Sequence, residues 1–192
     1  MQADDQRKWN EKYRNATLST PAEPAWVLRQ HTRLLPLQGK ALDMAAGLGG
    51  NARYLAQCGL SAYAWDISDT AMEHLADYAR RFKLPIQTRV IDLNQPHWPD
   101  EQFHVVAISR WLDRTAFARI GHLVKPEGFL FWQTFLAPVQ SNAPRNPDYY
   151  LHSGELVRAY ATWRIHVHGE GWLDDQDGQK RRYSWIVAQK PA

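Results

Sequence analysis

The sequence predicts an α/β fold with a seven-stranded, mostly parallel sheet, helices on both faces and an antiparallel C-terminal hairpin. Two observations predict it. Short apolar segments alternate with amphipathic helical segments between residues 40 and 161, which is typical of parallel strands joined by helices. Two more strand-like segments then flank the turn dipeptide Asp177-Gly178, so a hairpin follows. In such sheets a ligand lies at the carboxyl ends of the strands, near the switch in strand order.

The predicted elements follow in a regular order. Two helices come first, at residues 4–14 and 25–35. The strands are predicted at residues 40–46, 61–66, 86–91, 103–109, 129–135, 164–172 and 183–189, and the remaining helices at 50–58, 69–82, 113–124 and 153–161. Thr70 and Glu73 have capping-box spacing at the start of the helix at 69–82. The length of 192 residues suits one domain, with a helical cap at 1–36 and a core at 37–192.

The charge pattern argues against a nucleic-acid surface. The formal net charge is +3 and most basic residues are scattered. The one dense basic cluster, residues 180–182, lies beside Asp174, Asp175 and Asp177. We interpret this mixed cluster as the solvated tip of the hairpin, and we expect no nucleic-acid partner.

A single cysteine, Cys58, excludes an intramolecular disulfide and a cysteine zinc site. The N-terminal residues are polar and unlike a signal peptide, and no apolar stretch approaches the roughly 18 residues that span a membrane. We therefore expect a cytoplasmic protein without a membrane partner.

His166, His168 and Glu170 alternate along a predicted strand and share one face, which is a possible metal-ligand spacing. Ile165 and Val167 occupy the other face, so we interpret the polar face as the solvated side of an edge strand. No metal is expected.

A glycine-rich loop follows the first predicted strand. Gly47 and Gly49 permit a tight turn and close approach of the backbone to a ligand, and the next helix offers free N–H groups. Asp66 ends the second strand, 19 residues after Gly47, where a carboxylate can accept both hydrogen bonds of a ribose diol. This pattern predicts a nucleoside-containing cofactor.

Two cofactors fit this loop. Gly47-x-Gly49-x-x-Ala52 followed by Asp66 satisfies the dinucleotide fingerprint. Asp43 favours S-adenosylmethionine (SAM), because a carboxylate near the loop opposes a pyrophosphate but suits an ammonium and a sulfonium. Asp43 can also hold the turn through backbone amides, and both roles stay open.

The third predicted strand ends at Asp92-Leu93. There the carboxylate can accept a hydrogen bond from an adenine amino group while Leu93 packs on the ring. One aspartate at a strand end is more often a turn residue. Three of them, at Asp43, Asp66 and Asp92, favour a cofactor-binding edge.

The segment ALDMAAGLGGNARYLAQCGLSAYAWDIS resembles motif I and its sequel in class I SAM-dependent methyltransferases, and within them the tellurite-resistance (TehB-like) and thiopurine-type group. Trp9-x-x-x-Tyr13 resembles the start of those small enzymes, and residues 133–135, 145–148 and 154–156 resemble their later segments. The resemblance covers about residues 5–170 and implies a Rossmann-like fold.

The resemblance also implies cofactor contacts. Gly47 and Gly49 would approach the methionine portion of SAM, and Asp66 would bind the ribose. The implied adenine neighbours are Ile67, Asp92 and Leu93, and those near the methyl group are Ser109 and Tyr13. Two positions depart from the family: Ala46 where many relatives have cysteine, and Trp65 where smaller residues are common.

Methyl transfer from a sulfonium needs an aligned nucleophile and few catalytic groups, and no catalytic residue is predicted. The acceptor-side candidates are Arg110, Trp111, Arg145 and Tyr149. Arg110 can hold an anionic acceptor or pair with Asp113 or Asp92. We expect a small-molecule acceptor, such as a thiol or a metalloid oxyanion, and a monomer or weak homodimer.

Two other functions stay open at this stage. An NAD(P)-dependent oxidoreductase would use the same glycine-rich loop, but neither a Tyr-x-x-x-Lys pair nor a separate substrate domain is evident. A non-catalytic SAM-binding protein would keep the fold without turnover.

Overall fold

The computed structural model describes the chain from residue 2 to residue 192, with side chains from Asp4 onwards. Seven strands form one sheet: β1 (Lys40–Met44), β2 (Ser61–Asp66), β3 (Ile86–Val90), β4 (Phe103–Ser109), β5 (Val124–Phe135), β6 (Arg164–Asp174) and β7 (Lys180–Gln189). Their order is β3-β2-β1-β4-β5-β7-β6, and β7 is antiparallel to both of its neighbours. The predicted fold class is confirmed, with the antiparallel strand inside the sheet and β6 at its edge.

The helices are α1 (Gln2–Tyr13), α2 (Trp26–Gln30), α3 (Gly50–Gln57), α4 (Asp69–Phe82), α5 (Phe117–Leu123) and α6 (Glu155–Ala159). The helix predicted over 25–35 is shorter, because α2 ends at Gln30 and a separate 3-10 turn follows. The predicted capping box at Thr70 is wrong. Ser68 is the N-cap of α4, and its Oγ accepts a hydrogen bond from the Ala71 N–H at 3.1 Å.

Helices cover both faces of the sheet. Leu42 and Met44 of β1 belong to an apolar cluster with α5 and α6, whereas Ala41 belongs to a second cluster with α2, α3 and α4. Because side chains alternate along a strand, Asp43 shares the face of Ala41 and points towards α3. A strand buried on both faces is typical of the centre of a parallel sheet.

The strand order brings the predicted site residues to one edge. β1 pairs with β2 on one side and with β4 on the other, so the order reverses between β1 and β4. The carboxyl ends of these parallel strands meet there, as they do at ligand sites of doubly wound sheets. Among the described residues, no helix is long and apolar enough to cross a membrane.

Candidate functional site

The carboxyl edge of the sheet has two halves. The glycine-loop half consists of the ends of β1 and β2 with residues 45–49, which connect β1 to α3. The hairpin-tip half consists of the ends of β4 and β5 with residues 174–180, which lie at the tip of the β6–β7 hairpin.

The loop between β1 and α3 needs glycine for two reasons. Gly47 and Gly49 have φ values of +52° and +77°, a region that L side chains rarely adopt. A Cβ at Gly49 would lie 2.4 Å from Leu75 Cδ2, and a Cβ at Gly47 would lie 2.7 Å from the Tyr13 hydroxyl oxygen. Ala45 has a φ of +57° without being glycine, a feature that the sequence interpretation missed.

Asp43 lies behind this loop and holds it. The side chain is buried, and its two carboxylate oxygens accept hydrogen bonds from Asn51 Nδ2 and from the Ala52 N–H, both at 2.9 Å. Burial raises the pKa of Asp43 to about 7, against these hydrogen bonds, which lower it. Asp43 therefore ties the end of β1 to the first turn of α3.

Asn51 is a site residue that the sequence interpretation missed. Its Nδ2 donates to Asp43 and lies 3.4 Å from Ser109 Oγ, and its Oδ1 accepts the Ala25 N–H at 2.8 Å. The side chain is 3% exposed and so joins β1, β4 and the segment before α2 in one buried network.

The sequence interpretation also missed that Gln133 anchors the N-terminal segment. Its buried Oε1 accepts the Val27 N–H at 3.0 Å, which fixes α2 at the end of β5. A Cβ at Gly50 would lie 2.2 Å from the carbonyl oxygen of Glu23, so the preceding segment packs directly on α3. The N-terminal segment is therefore fastened across the strand ends at several points.

Asp66 joins the second strand end to the glycine loop. Its Oδ2 accepts the Gly47 N–H at 2.8 Å, and its Oδ1 accepts the Ser68 N–H at 2.9 Å. The residue is 8% exposed, and burial raises the pKa of its carboxyl, against the hydrogen bonds of Ser68 and Gly47. Each carboxylate oxygen has a second lone pair that can accept a ligand hydroxyl.

Helix α1 covers the glycine loop. Trp9 and Tyr13 stack with ring centroids 6.2 Å apart, and the Tyr13 hydroxyl faces Gly47. Ser68 Oγ donates to Asn10 Oδ1 at 2.7 Å, which anchors α1 at the start of α4. Burial raises the pKa of Tyr13. The Trp9-x-x-x-Tyr13 spacing thus places the two rings on one face of α1, and Tyr13 approaches the loop.

The end of β3 forms a tight turn. Asp92 is half-buried, and its oxygens accept the Asn94 N–H at 2.9 Å and Gln95 Nε2 at 3.1 Å. Leu93 is buried in the apolar cluster that contains α5 and α6, and Ile67 is half-buried. Asp92 therefore has the turn role that a lone aspartate at a strand end often has.

Arg110 follows β4 in a strained conformation, with a φ of +55°. Its N–H donates to the Gln133 carbonyl at 3.0 Å, and its guanidinium pairs with Asp175. The alternative role of Arg110, a pairing with Asp113 or Asp92, is wrong. Asp175 is its partner because the hairpin tip folds back over the end of β4.

The interpretation of residues 174–182 as a solvated tip is wrong for Asp175 and Arg181, whose side chains are largely buried. The Asp175 side chain is 8% exposed and accepts Arg181 Nη1 at 2.8 Å and the Tyr183 hydroxyl at 2.7 Å, besides Arg110. Burial raises the pKa of Tyr183. Gln176 Nε2 donates to the Glu23 carbonyl at 3.1 Å. Asp175 is thus paired with both Arg110 and Arg181 where the tip lies over the end of β4.

Comparison with known proteins agrees with this geometry. Residues 41–128 match the model of a family described as a methyltransferase domain. This central segment of the chain is therefore similar to a methyltransferase domain. The match agrees with the resemblance to class I methyltransferases and with the predicted cofactor, SAM, and the matched residues include the glycine loop and the three strand-end aspartates, Asp43, Asp66 and Asp92.

Solved structures and a curated relative are similar to this chain over most of its length. TehB from Haemophilus influenzae aligns with a TM-score of 0.75 at 19% identity, over 96% of this chain and 66% of that one. Coclaurine N-methyltransferase, solved with N-methylheliamine and S-adenosylhomocysteine (SAH), has a TM-score of 0.69 at 10% identity, over 98% of this chain and 87% of that one. Hemagglutinin 1 from Eikenella corrodens is 26% identical in an alignment of 170 residues that covers 79% of this chain and 55% of that protein. The chain spans about half the length of that curated relative.

Of the other acceptor-side candidates, Trp111 directly follows Arg110, whereas Arg145 and Tyr149 lie in the segment after β5. Trp111 is half-buried against the core, and its carbonyl accepts Trp132 Nε1 at 3.2 Å. Arg145 and Tyr149 are exposed in the segment after β5. Within the described part of the chain, neither contacts Arg110.

The polar face of β6 is partly occupied by structural contacts. His166 Nε2 lies 2.9 Å from Gln189 Oε1, and Glu170 accepts hydrogen bonds from Ser153 Oγ and the Gly154 N–H at 2.7 Å. Within residues 2–192 as described, no group of three or more histidine, cysteine, aspartate or glutamate side chains has a metal-binding arrangement.

Proposed function

We propose that this chain transfers the methyl group of SAM to a small-molecule acceptor, such as a thiol or a metalloid oxyanion. When bound, SAM supplies a methyl group on a sulfonium sulfur that leaves as a neutral thioether. The protein then has to align the acceptor and exclude water. A general base is needed only when the acceptor atom carries a proton, so no residue is assigned that role.

The glycine-loop half supports the cofactor assignment. Gly47 and Gly49 leave space where any Cβ would collide, and we assign them to the methionine portion. We assign Asp66 to the ribose hydroxyls, because two backbone N–H groups fix its carboxylate and leave lone pairs available. Asp43 holds the loop from behind as a positioning residue.

The remaining cofactor roles are proposed from position. We assign Ile67, Asp92 and Leu93 to the adenine, since they follow β2 and β3 at the same edge. Ser109 ends β4 beside Asn51, and Tyr13 lies over Gly47, which suits residues near the transferred methyl group. Residues 1–36 would act as a cap on the core, 37–192, of a single domain.

The hairpin-tip half supports an acceptor of negative or polarisable character. Arg110 lies directly after β4 with a partly exposed guanidinium. Its pairing with Asp175 neutralises the charge until an anion competes for it. Trp111 would form a wall of the acceptor site, and Arg145 with Tyr149 would belong to a mobile cover. We propose a monomer or weak homodimer in the cytoplasm.

One observation carries the proposal: the glycine loop, Asp43 and Asp66 form one connected set within the residues that match the methyltransferase family. Calorimetric titration with SAM, SAH and NADH tests the cofactor. We expect micromolar binding of SAM and SAH and none of NADH. Binding of NADH without binding of SAM or SAH would favour an NAD(P)-dependent oxidoreductase instead.

Turnover needs a second measurement. SAH release should be followed with thiols, selenite and tellurite as acceptors, and we expect release above the rate in buffer with at least one of them. SAM binding without release for any acceptor class would favour a non-catalytic SAM-binding protein.

A further inference from the structure

A groove outside the proposed methyl-transfer site contains a buried arginine without a counter-ion. The groove has a volume of about 260 Å³ and lies between α3, α4 and residues 18–24. Arg53 is the one charged side chain among the described residues that line it. Hydroxyl-bearing residues, including Ser19 and Thr20, line the same groove. Arg53 is therefore the charged group that a ligand in the groove would contact.

Arg53 lacks the partner that a buried cation requires. The residue is 7% exposed, and its Nε is buried without a hydrogen-bond acceptor. No carboxylate in the described chain pairs with its guanidinium. Its contact is with the ring of Tyr78, whose centroid lies 3.7 Å from Cζ. Arginines buried to this extent are usually paired, because removing an unpaired charge from water is unfavourable.

The ring contact accounts for the orientation of Arg53 and leaves its hydrogen bonds unmade. Stacking on Tyr78 holds the planar guanidinium by its face. The N–H groups lie in the plane of the guanidinium, so they stay available to an acceptor that approaches by the edge. Two parallel N–H groups match the two oxygens of a carboxylate or a phosphate.

We propose that this groove binds a small oxyanion, a carboxylate or a phosphate, through the guanidinium of Arg53. The volume of the groove lies just below the 300–1,000 Å³ typical of drug-sized ligands, so a small anion such as phosphate or a short carboxylic acid fits it. A bound anion supplies the missing counter-charge and touches both α3 and residues 18–24.

Occupancy of the groove should reach the glycine loop. The backbone N–H of Arg53 donates a hydrogen bond to the Gly49 carbonyl at 2.8 Å, and the backbone of Gly50 packs against the Glu23 carbonyl. An anion that holds residues 18–24 against α3 therefore stabilises the segment that covers the loop, and it should tighten SAM binding. This coupling rests on the proposed function, whereas anion binding itself does not.

Thermal unfolding of the full chain tests anion binding without SAM. Inorganic phosphate, malonate and chloride are compared at equal ionic strength and pH. With phosphate or malonate at about tenfold its Kd, we expect Tm to rise by about 2–5 °C over chloride. The larger response identifies whether the site prefers a phosphoryl or a carboxylate group.

Two variants locate the effect. Arg53→Gln should lose the rise in Tm, and Arg80→Gln, which removes an exposed arginine paired with Asp77 on α4, should keep it. An equal rise in Arg53→Gln, or no rise in the wild type with either anion, would overturn the proposal. A purely structural Arg53 would lower Tm equally in all three salts when it is replaced.

A spectroscopic measurement on the wild type keeps the test independent of how the variants fold. In a ¹H–¹⁵N spectrum, the Nε–H resonance of Arg53 should shift with phosphate or malonate and stay in place with chloride. An unmoved resonance with both anions would contradict the proposal even if Tm changed. SAM titration with and without phosphate then measures the coupling separately.

Discussion

The two halves of the carboxyl edge are built from contacts of very different sequence separation. In the glycine-loop half, Asp43 bonds to Ala52, nine residues away, and Gly47 bonds to Asp66, 19 residues away. In the hairpin-tip half, Arg110 reaches Asp175 across 65 residues, and the bond from Gln176 to Glu23 spans 153. The first half is encoded locally, and the second depends on the completed sheet.

The largest expected effect concerns the buried carboxyl of the glycine-loop half. Because the folded-state pKa of Asp43 is raised to about 7 from 3.8, folded protein keeps this proton over a range where unfolded protein loses it. Its contribution to the free energy of unfolding is therefore full below about pH 4 and is lost as pH rises towards 7, by at most about 4 kcal/mol. Urea denaturation of wild type and Asp43→Asn across this range measures the difference. We expect the stability of the wild type relative to Asp43→Asn to fall as pH rises. A relative stability that rose with pH would contradict the assignment.

A glycine pair compares the two halves at equal backbone strain. Gly49 and Gly178 have φ values of +77° and +73°, but a Cβ at Gly49 meets Leu75, whereas one at Gly178 meets nothing within 4 Å. Gly49→Ala should cost about 2–4 kcal/mol of unfolding free energy and Gly178→Ala about 1 kcal/mol. Chemical denaturation measures both, and equal costs would mean that packing at Gly49 is unimportant.

The charge cluster of the hairpin-tip half should contribute less. Asp175→Asn keeps the shape but removes the negative charge facing Arg181 and Arg110, and we expect a loss of about 1–2 kcal/mol. The neighbouring exposed Asp174→Asn is the control and should change stability by less than about 0.5 kcal/mol. Matching effects in urea denaturation would show that the tip is as solvated as its sequence indicates.

The smallest expected effect is a gain in the free energy of unfolding. Ala45 is held at a φ of +57°, so Ala45→Gly removes a strain of about 1 kcal/mol and adds unfolded-state entropy, for a net stabilisation of about 0.5 kcal/mol. Ala46→Gly, where φ is not positive, should destabilise by a similar amount. Differential scanning calorimetry distinguishes a stabilised Ala45→Gly from a destabilised Ala46→Gly. Loss of stability in both variants would mean that Ala45 is unstrained.

Local patterns predicted the fold well. The boundaries of β2, β4 and α4 agree with the predicted segments, because apolar periodicity and caps define them within a few residues. β5 begins five residues earlier than predicted. Residues 124–128 contain Pro126 and Gly128, which indicate a loop, yet Val124 pairs with Phe103 of β4. Pairing with a neighbouring strand overrides local propensity there.

The site was predictable only where its chemistry is local. The two loop glycines and the strand-end aspartates have recognisable spacings. Asn51 and Gln133 have no such spacing. Asn51 accepts a backbone N–H from 26 residues away and Gln133 accepts one from 106 residues away, and only the folded structure reveals these partners. Asp175 looked like a surface charge, since nothing near it in sequence indicates Arg110 as its partner.

The affinity of Asp66→Asn for SAM, measured by titration calorimetry beside wild type and Asp175→Asn, tests the central claim most directly. Asparagine keeps the shape of Asp66 and one carbonyl acceptor but loses the charge that strengthens hydrogen bonds to ribose hydroxyls. We predict binding roughly 10- to 100-fold weaker for Asp66→Asn and unchanged for Asp175→Asn. Wild-type affinity in Asp66→Asn would contradict the assignment of SAM to the glycine-loop half.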